Sequence, residues 1–191
     1  MPGTETPVFE TDFGRVGLSI CFDLNYWEVG SGLCANQAEL VLWSSMWEGG
    51  RMLTRWAIEF GFYMGAIFTG QSTFVDVAGR EIVSIKREVS DRTGRAPIVR
   101  ATLDLDRRLL HPDGNVDRLK RLYERYGSTA AYVELLSHEC LLVFGSELPN
   151  LSSDALIAEF GLETMRDYLA RVRRDRKLAL EGRYVPDGLA M

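Results

Sequence analysis

Cys21 is the residue best placed to do chemistry in this chain. It ends Val16-Gly17-Leu18-Ser19-Ile20, a short apolar run with β-branched residues that reads as a buried strand. The next dozen residues, rich in Trp, Leu and Ala, read as a helix. A thiol at such a seam lies where free backbone N–H groups and the helix dipole favour its anion. The sharp turn presents the side chain, and neighbouring amides can receive an oxyanion when the sulfur attacks an electrophilic carbon. Position also allows a plainer use, because free cysteine is among the most buried residue types and fills cores as a small hydrophobe.

Other reactive side chains are sparse. Asp23, two residues further on, is expected to cap the following helix. His111 and His138 are the only imidazoles; the first stands at a helix entrance in Leu110-His111-Pro112-Asp113, and both read as surface or packing residues. Pairing either with Cys21 requires an adjacency in space that the spacing does not supply. Cys34 and Cys140 have no motif around them and read as packing residues. Three widely spaced cysteines make neither a disulfide framework nor a zinc site, and no metal or organic cofactor is implied. Arg171, Arg173, Arg174, Arg176 and Lys177, interrupted by Asp175, read as the solvated face of an amphipathic helix.

The elements that must position Cys21 follow from periodicity. Val8 and Phe9 are expected to pair at a sheet edge, and a helix is expected from about Tyr26 to Ala38. Residues 39–44 read as a second buried strand. After Gly49 and Gly50 comes a helical stripe of Met52, Leu53, Trp56, Ala57, Phe60 and Met64. Ala66 to Thr69 reads as a strand, and Ser72 to Val77 with Glu81 to Ile85 as two strands joined by a Gly-containing turn. The charged stretch 86–95 is expected to be an exposed loop, and Ile98 to Leu105 a further strand. Val116, Leu119, Leu122, Tyr123 and Tyr126 mark a helix that ends at Gly127. Ser128 to Phe144 is expected to be another helix or a docked arm. Ser152 or Ser153 caps a short helix ending near Gly161, and Leu162, Met165, Leu169 and Val172 mark a final amphipathic helix.

Composition narrows the classes. The 191 residues suit one medium domain, or a smaller one with a tail, and 46% apolar with 26% charged residues is ordinary for a globular protein. A net charge of −5 argues against a nucleic-acid partner, which needs a positive field. No run has the apolar length of a membrane span, and Met1 to Glu10 lacks the basic and apolar regions of a secretory signal. The expectation is a cytoplasmic protein with no membrane partner.

The residues around Cys21 resemble a known segment. Gly14-Arg15-Val16-Gly17, then Ile20-Cys21-Phe22-Asp23-Leu24 and Glu28, is similar to the nucleophile segment of the carbon–nitrogen hydrolases, the nitrilase superfamily. Trp27 stands where that family commonly has a proline. Arg55-Trp56-Ala57-Ile58-Glu59 resembles a helix of the family, Ser72 to Ile82 its hairpin with Asp76 and Gly79, and Ala101 to Asp106 the strand that ends its domain. The motifs occur in the family's order over Pro7 to about Gly127.

The resemblance implies an α/β fold: the second half of an α-β-β-α nitrilase-type sandwich, as a partial hydrolase domain over residues 1–127 with a helical C-terminal extension over 128–191. It implies that Cys21 attacks a small-molecule amide or nitrile through a thioester, that the Phe22 backbone N–H helps to hold the oxyanion, and that Glu28 orients the loop or binds substrate. Asn25 occupies a position where some carbamoylase-like members carry an arginine, which disfavours N-carbamoyl amino acids. Trp47 follows the strand end where the family's pocket residues lie and is the candidate pocket wall; packing accounts equally well for Trp43 and Trp56. Amide hydrolysis is preferred over nitrile hydrolysis, as the broader activity.

In that family a glutamate takes the thiol proton and a lysine stabilises the tetrahedral intermediate, both upstream of the cysteine. The residues before Cys21 contain no lysine, and Glu5 and Glu10 belong to the strand lead, so neither matches the base. The expectation is therefore a truncated enzyme, a split enzyme whose first half is a separate polypeptide, or a silent scaffold for binding or homo-oligomer assembly. Truncation, from a misassigned start at Met1, is favoured. Apolar sheet faces are then expected to meet water.

Overall fold

The computed structural model describes residues 3–86 and 98–183, which divide into one unit up to Arg108 and a second from Leu109.

The first unit is built on a six-stranded sheet whose strands lie side by side in chain order. These are β1 (Val8–Thr11), β2 (Gly14–Ile20), β3 (Leu40–Ser45), β4 (Tyr63–Phe68), β5 (Gln71–Val75) and β6 (Glu81–Lys86). β2, β3 and β4 run parallel, and the outer pairs are antiparallel. Parallel neighbours need crossover connections. Two helices supply them: α1 (Trp27–Ala35) between β2 and β3, and α2 (Arg51–Phe60) between β3 and β4.

Both helices cover one face of the sheet. Leu33 of α1 and Leu53, Trp56, Ala57 and Phe60 of α2 close on Val41, Trp43, Met64, Ala66 and Val75. Register fixes that choice of face, because Gly17, Val41, Met64 and Val75 lie in line across the strands, as do Ser19, Trp43 and Ala66. The alternate residues point the other way. Leu18, Ile20, Leu42 and Ile67 lie on that second face at 51%, 65%, 41% and 57% exposure. Such a face is expected to carry polar residues, so its apolar character agrees with the reading that apolar faces meet water.

Two boundaries differ from the sequence reading. The stripe read as one helix to Met64 stops at Gly61, which adopts a left-handed conformation and returns its N–H to Ala57 O; Met64 belongs to β4. Ile98 to Leu105 forms no strand: Asp104 accepts N–H bonds from Asp106 and Arg107, a turn that breaks the extended run. The expected loop at 86–95 lies outside the described residues after Lys86.

The second unit holds α3 (Asn115–Tyr126), β8 (Ala131–Leu136), β9 (Leu141–Ser146), α4 (Ser153–Phe160) and α5 (Met165–Leu180); β7 (Arg108–Leu110) leads into it. The strand order is β7-β9-β8. Leu110, Leu119, Leu122, Leu142, Phe144, Leu156 and Leu162 form its own core. Asn115, fully buried, fastens it: Nδ2 donates to His111 O at 2.7 Å and Glu163 O at 2.8 Å, and Oδ1 accepts from Glu163 N at 2.8 Å. The boundary therefore falls before α3 and not after Gly127, because α3 packs with α4 and shares this core. The extension expected to be helical contains α4 and α5 but also a hairpin, for the chain from Ala131 to Ser146 forms the antiparallel strands β8 and β9 instead of winding into a helix. Ser152 caps α4 as expected, accepting from Ala155 N.

Candidate active site

Cys21 opens a 3-10 turn, Cys21–Asn25, at the carboxyl end of β2. Its φ of 48° lies in the left-handed region, which side chains other than glycine's seldom occupy and which marks functional turns. Three contacts hold the turn. Asp23 accepts the Ile20 N–H at 2.7 Å, Asn25 Nδ2 donates to Phe22 O at 3.2 Å, and the Trp43 indole donates to Cys21 O at 3.0 Å. Asp23 thus closes the nucleophile turn, and α1, which it was expected to cap, begins at Trp27 after Tyr26, without a side-chain cap.

Parallel register supplies the rest. Ile20 pairs with Ser44 where the pairing of β2 with β3 ends, and Cys21 and Ser45 are the residues that follow them. The Ser45 hydroxyl has the largest effect on the thiol and lowers its pKa below the ordinary cysteine value. The backbone N–H groups of Met46 and Phe22 and the Trp47 indole act in the same direction, against an opposing desolvation. Each is a hydrogen-bond donor, and a thiolate accepts where a thiol accepts only weakly. Among the described residues no charged side chain contributes. Trp47 Nε1 is buried. Its ring meets Trp43 edge-on at 5.9 Å. Gly49 permits this packing: its φ is 67°, and a Cβ there would lie 3.0 Å from the Trp43 ring. Cys21 is partly exposed, and the side chains of Phe22 and Met46 are exposed.

The structure therefore brings Cys21, the Phe22 N–H and Trp47 together. Glu28 lines an exposed groove of about 560 Å³ with Thr4, Glu5, Thr6, Val29 and Asn36. Trp27 donates its indole N–H to Glu59 at 2.8 Å, and Glu59 also receives Arg55 at 2.9 Å, so both residues tie α1 to α2. Sequence reasoning gave Ser45 and Met46 no role, although Ser44-Ser45-Met46-Trp47 follows the strand end at which it looked for pocket residues.

The histidines have other work. His111 stacks on Tyr168 at 3.9 Å, its Nδ1 accepting the Asp113 N–H, while His138 is exposed at the β8–β9 turn. Cys34 packs against the first core as expected, but Cys140 does not pack: it is exposed at that turn with a φ of 56°. Among the described residues there is no group of three or more His, Cys, Asp or Glu side chains able to hold a metal, and no helix long and apolar enough to cross a membrane.

Residues 1–108 match the carbon-nitrogen hydrolase family. The chain belongs to that family. Among solved structures it is similar to an amidase from Nesterenkonia sp., with 24% identity over 46% of this chain and 40% of the amidase and a TM-score of 0.41. It is also similar to Nit3 of Saccharomyces cerevisiae, a member of branch 10 of the nitrilase superfamily, with 18% identity over the same shares and a TM-score of 0.42. The matched region spans about two fifths of the length of these proteins. No protein of curated function matches.

Proposed function

We propose that this chain carries the nucleophile of a carbon–nitrogen hydrolase acting on small amides. In this reading Cys21 Sγ bonds to the amide carbonyl carbon, and the carbonyl electrons move onto oxygen. The C–N bond breaks, the nitrogen leaves with a proton as ammonia or an amine, and a thioester remains. Water then adds to the thioester carbon, releasing the acid and restoring the thiol. The Phe22 N–H is one donor for the oxyanion, and Trp47 forms a wall of the acyl pocket. The proton acceptor and the cationic stabiliser come from residues outside those described.

One observation carries the reading: a partly exposed cysteine, at a left-handed φ on a strand end, faces a serine hydroxyl, two backbone amides and an indole that favour its anion. A silent scaffold for binding or assembly, the competing reading, gives no reason for an acidified thiol in a strained turn.

The test is competitive alkylation by 2-chloroacetamide, an amide-shaped electrophile, followed by mass mapping of the three cysteines. Cys21 is expected to be labelled before Cys34 and Cys140 at pH 6–7. Labelling of Cys21 no faster than the other two would overturn the assignment.

A further inference from the structure

The second unit lies outside the family match and holds an open groove of about 550 Å³. Ile157, Ala158 and Leu162 give it an apolar side, and Arg118, Glu163, Asp167 and Arg171 a charged one. Both carboxylates there already have a cation. Arg171 grips Glu163 through Nε at 2.8 Å and Nη2 at 2.9 Å. Asp167 accepts the Thr164 hydroxyl at 2.6 Å and Arg166 Nε at 3.4 Å. Arg118 is the exception: half-buried, it makes among the described residues one long hydrogen bond, from Nη1 to Asn115 Oδ1 at 3.4 Å. That oxygen already takes the Glu163 N–H at 2.8 Å. No carboxylate of the described residues lies within ion-pair distance of Arg118. Glu163, whose carboxyl the Arg171 hydrogen bonds hold below its usual range, feels Arg118 only from further off.

We propose that this groove binds a small aliphatic monocarboxylate, its carboxylate on the Arg118 guanidinium and its chain over Ile157, Ala158 and Leu162. A guanidinium presents a planar fork of donors that matches a carboxylate, and the pairing is strongest where water is partly excluded. The remaining polar groups narrow the ligand. The Gly161 and Leu162 N–H groups both return to Ile157 O, and the Glu163 N–H goes to Asn115, so no main-chain donor of that turn is left for a peptide. Arg171 and Arg166 are matched to Glu163 and Asp167, so a dianion such as phosphate finds no second cation and meets two carboxylates. One charge and an apolar body fit what is left, in a volume ordinary for small-molecule sites. The inference goes beyond the hydrolase reading and does not use Cys21.

The full chain, labelled with nitrogen-15, is titrated at pH 7 with sodium hexanoate and followed through its amide resonances. Hexanamide, the neutral counterpart, and inorganic phosphate, an anion without an apolar body, are titrated beside it. Hexanoate is expected to saturate with a dissociation constant of about 1 mM, the strength of one charged anchor and a short chain. The shifts are expected at Arg118 and residues 157–163, with both controls roughly tenfold weaker or more. Arg118→Gln should weaken hexanoate by about tenfold. Ala158→Glu, at an exposed helical position, sets a like charge beside the ligand and should weaken it while Arg118 stays in place; it decides the matter should Arg118→Gln not fold. Hexanamide or phosphate binding as tightly as hexanoate overturns the inference, as does a folded variant with unchanged affinity. Shifts that map elsewhere, or no saturation, overturn it too. None of these readouts involves the thiol, so the hydrolase reading stands or falls separately on Cys21 alkylation.

Discussion

Trp43→Phe tests whether the nucleophile turn is held by the indole behind it. Trp43 is 1% exposed, packs edge-on against Trp47 and Phe68, and donates Nε1–H to Cys21 O at 3.0 Å. Phenylalanine keeps an aromatic ring but loses the donor and part of the buried surface. The lost hydrogen bond is worth about 1 kcal/mol. The unfilled space adds about 1–2 kcal/mol, less than a full truncation to alanine. Together they amount to about 2–3 kcal/mol, and for a unit of this size each kcal/mol lowers the thermal midpoint by roughly 4–8 °C. A fall of about 10 °C or more is expected by calorimetry, with slower alkylation of Cys21, because the carbonyl that fixes its left-handed φ has lost a tether. A midpoint within 2 °C of the parent (roughly half a kcal/mol or less), together with an unchanged Cys21 rate, would refute the claim that Trp43 sets the turn.

Four further outcomes follow from the packing. Gly30→Ala would put a Cβ 2.2 Å from Phe60 Cε2, a ring already held by Trp56 and Phe62, and should lower stability by about 1–3 kcal/mol in urea titration. Asn115→Ala leaves the Glu163 N–H and the His111 and Glu163 carbonyls without their partner and should cost about 3 kcal/mol, read as faster proteolysis within 109–183. Burial, aided by Asp104 and Asp76, raises the Tyr63 phenol pKa to about 12, so its contribution is present below pH 10 and lost as pH rises towards 12; Tyr63→Phe should remove that alkaline limb from the denaturation profile. Ile67→Thr on the exposed sheet face should stay within about 0.5 kcal/mol of the parent in urea titration, since Ile67 contributes little to the core on the helix side.

How far the sequence was readable depends on the range of the interactions. The strand into Cys21, the α2 stripe and the ends at Gly61, Gly127 and Gly161 are local signals, and most were legible within a few residues. The hairpin of β8 and β9 was not, because a run as apolar as Leu141 to Phe144 has no distinguishing period over so short a length, and only pairing decides it. The site divided in the same way. Cys21 was legible because a strand-ending thiol in that setting is a local motif, and the Phe22 N–H follows it in the chain. Ser45 and Met46 approach from another strand, through the offset that places Ile20 opposite Ser44. Glu28, on α1, lines a groove beside Thr4 and Thr6, a setting that depends on how the chain before β1 runs past the helix and that no local pattern gives.

The thiol separates two requirements that are often treated as one. A cysteine needs its anion to be favoured, which neutral dipoles can achieve, and it needs a site for the departing proton, which neutral dipoles cannot provide. Here the first requirement is met by Ser45, Met46, Phe22 and Trp47, all from the turns after β2 and β3. The second calls for an acid–base group, and none acts on Cys21 among the described residues. Alkylation depends on the first requirement alone, whereas turnover depends on both. A chain that alkylates readily at Cys21 yet turns over no amide would therefore leave the nucleophile intact and place the deficiency in proton transfer, whereas a sluggish thiol would place it in the strand ends themselves.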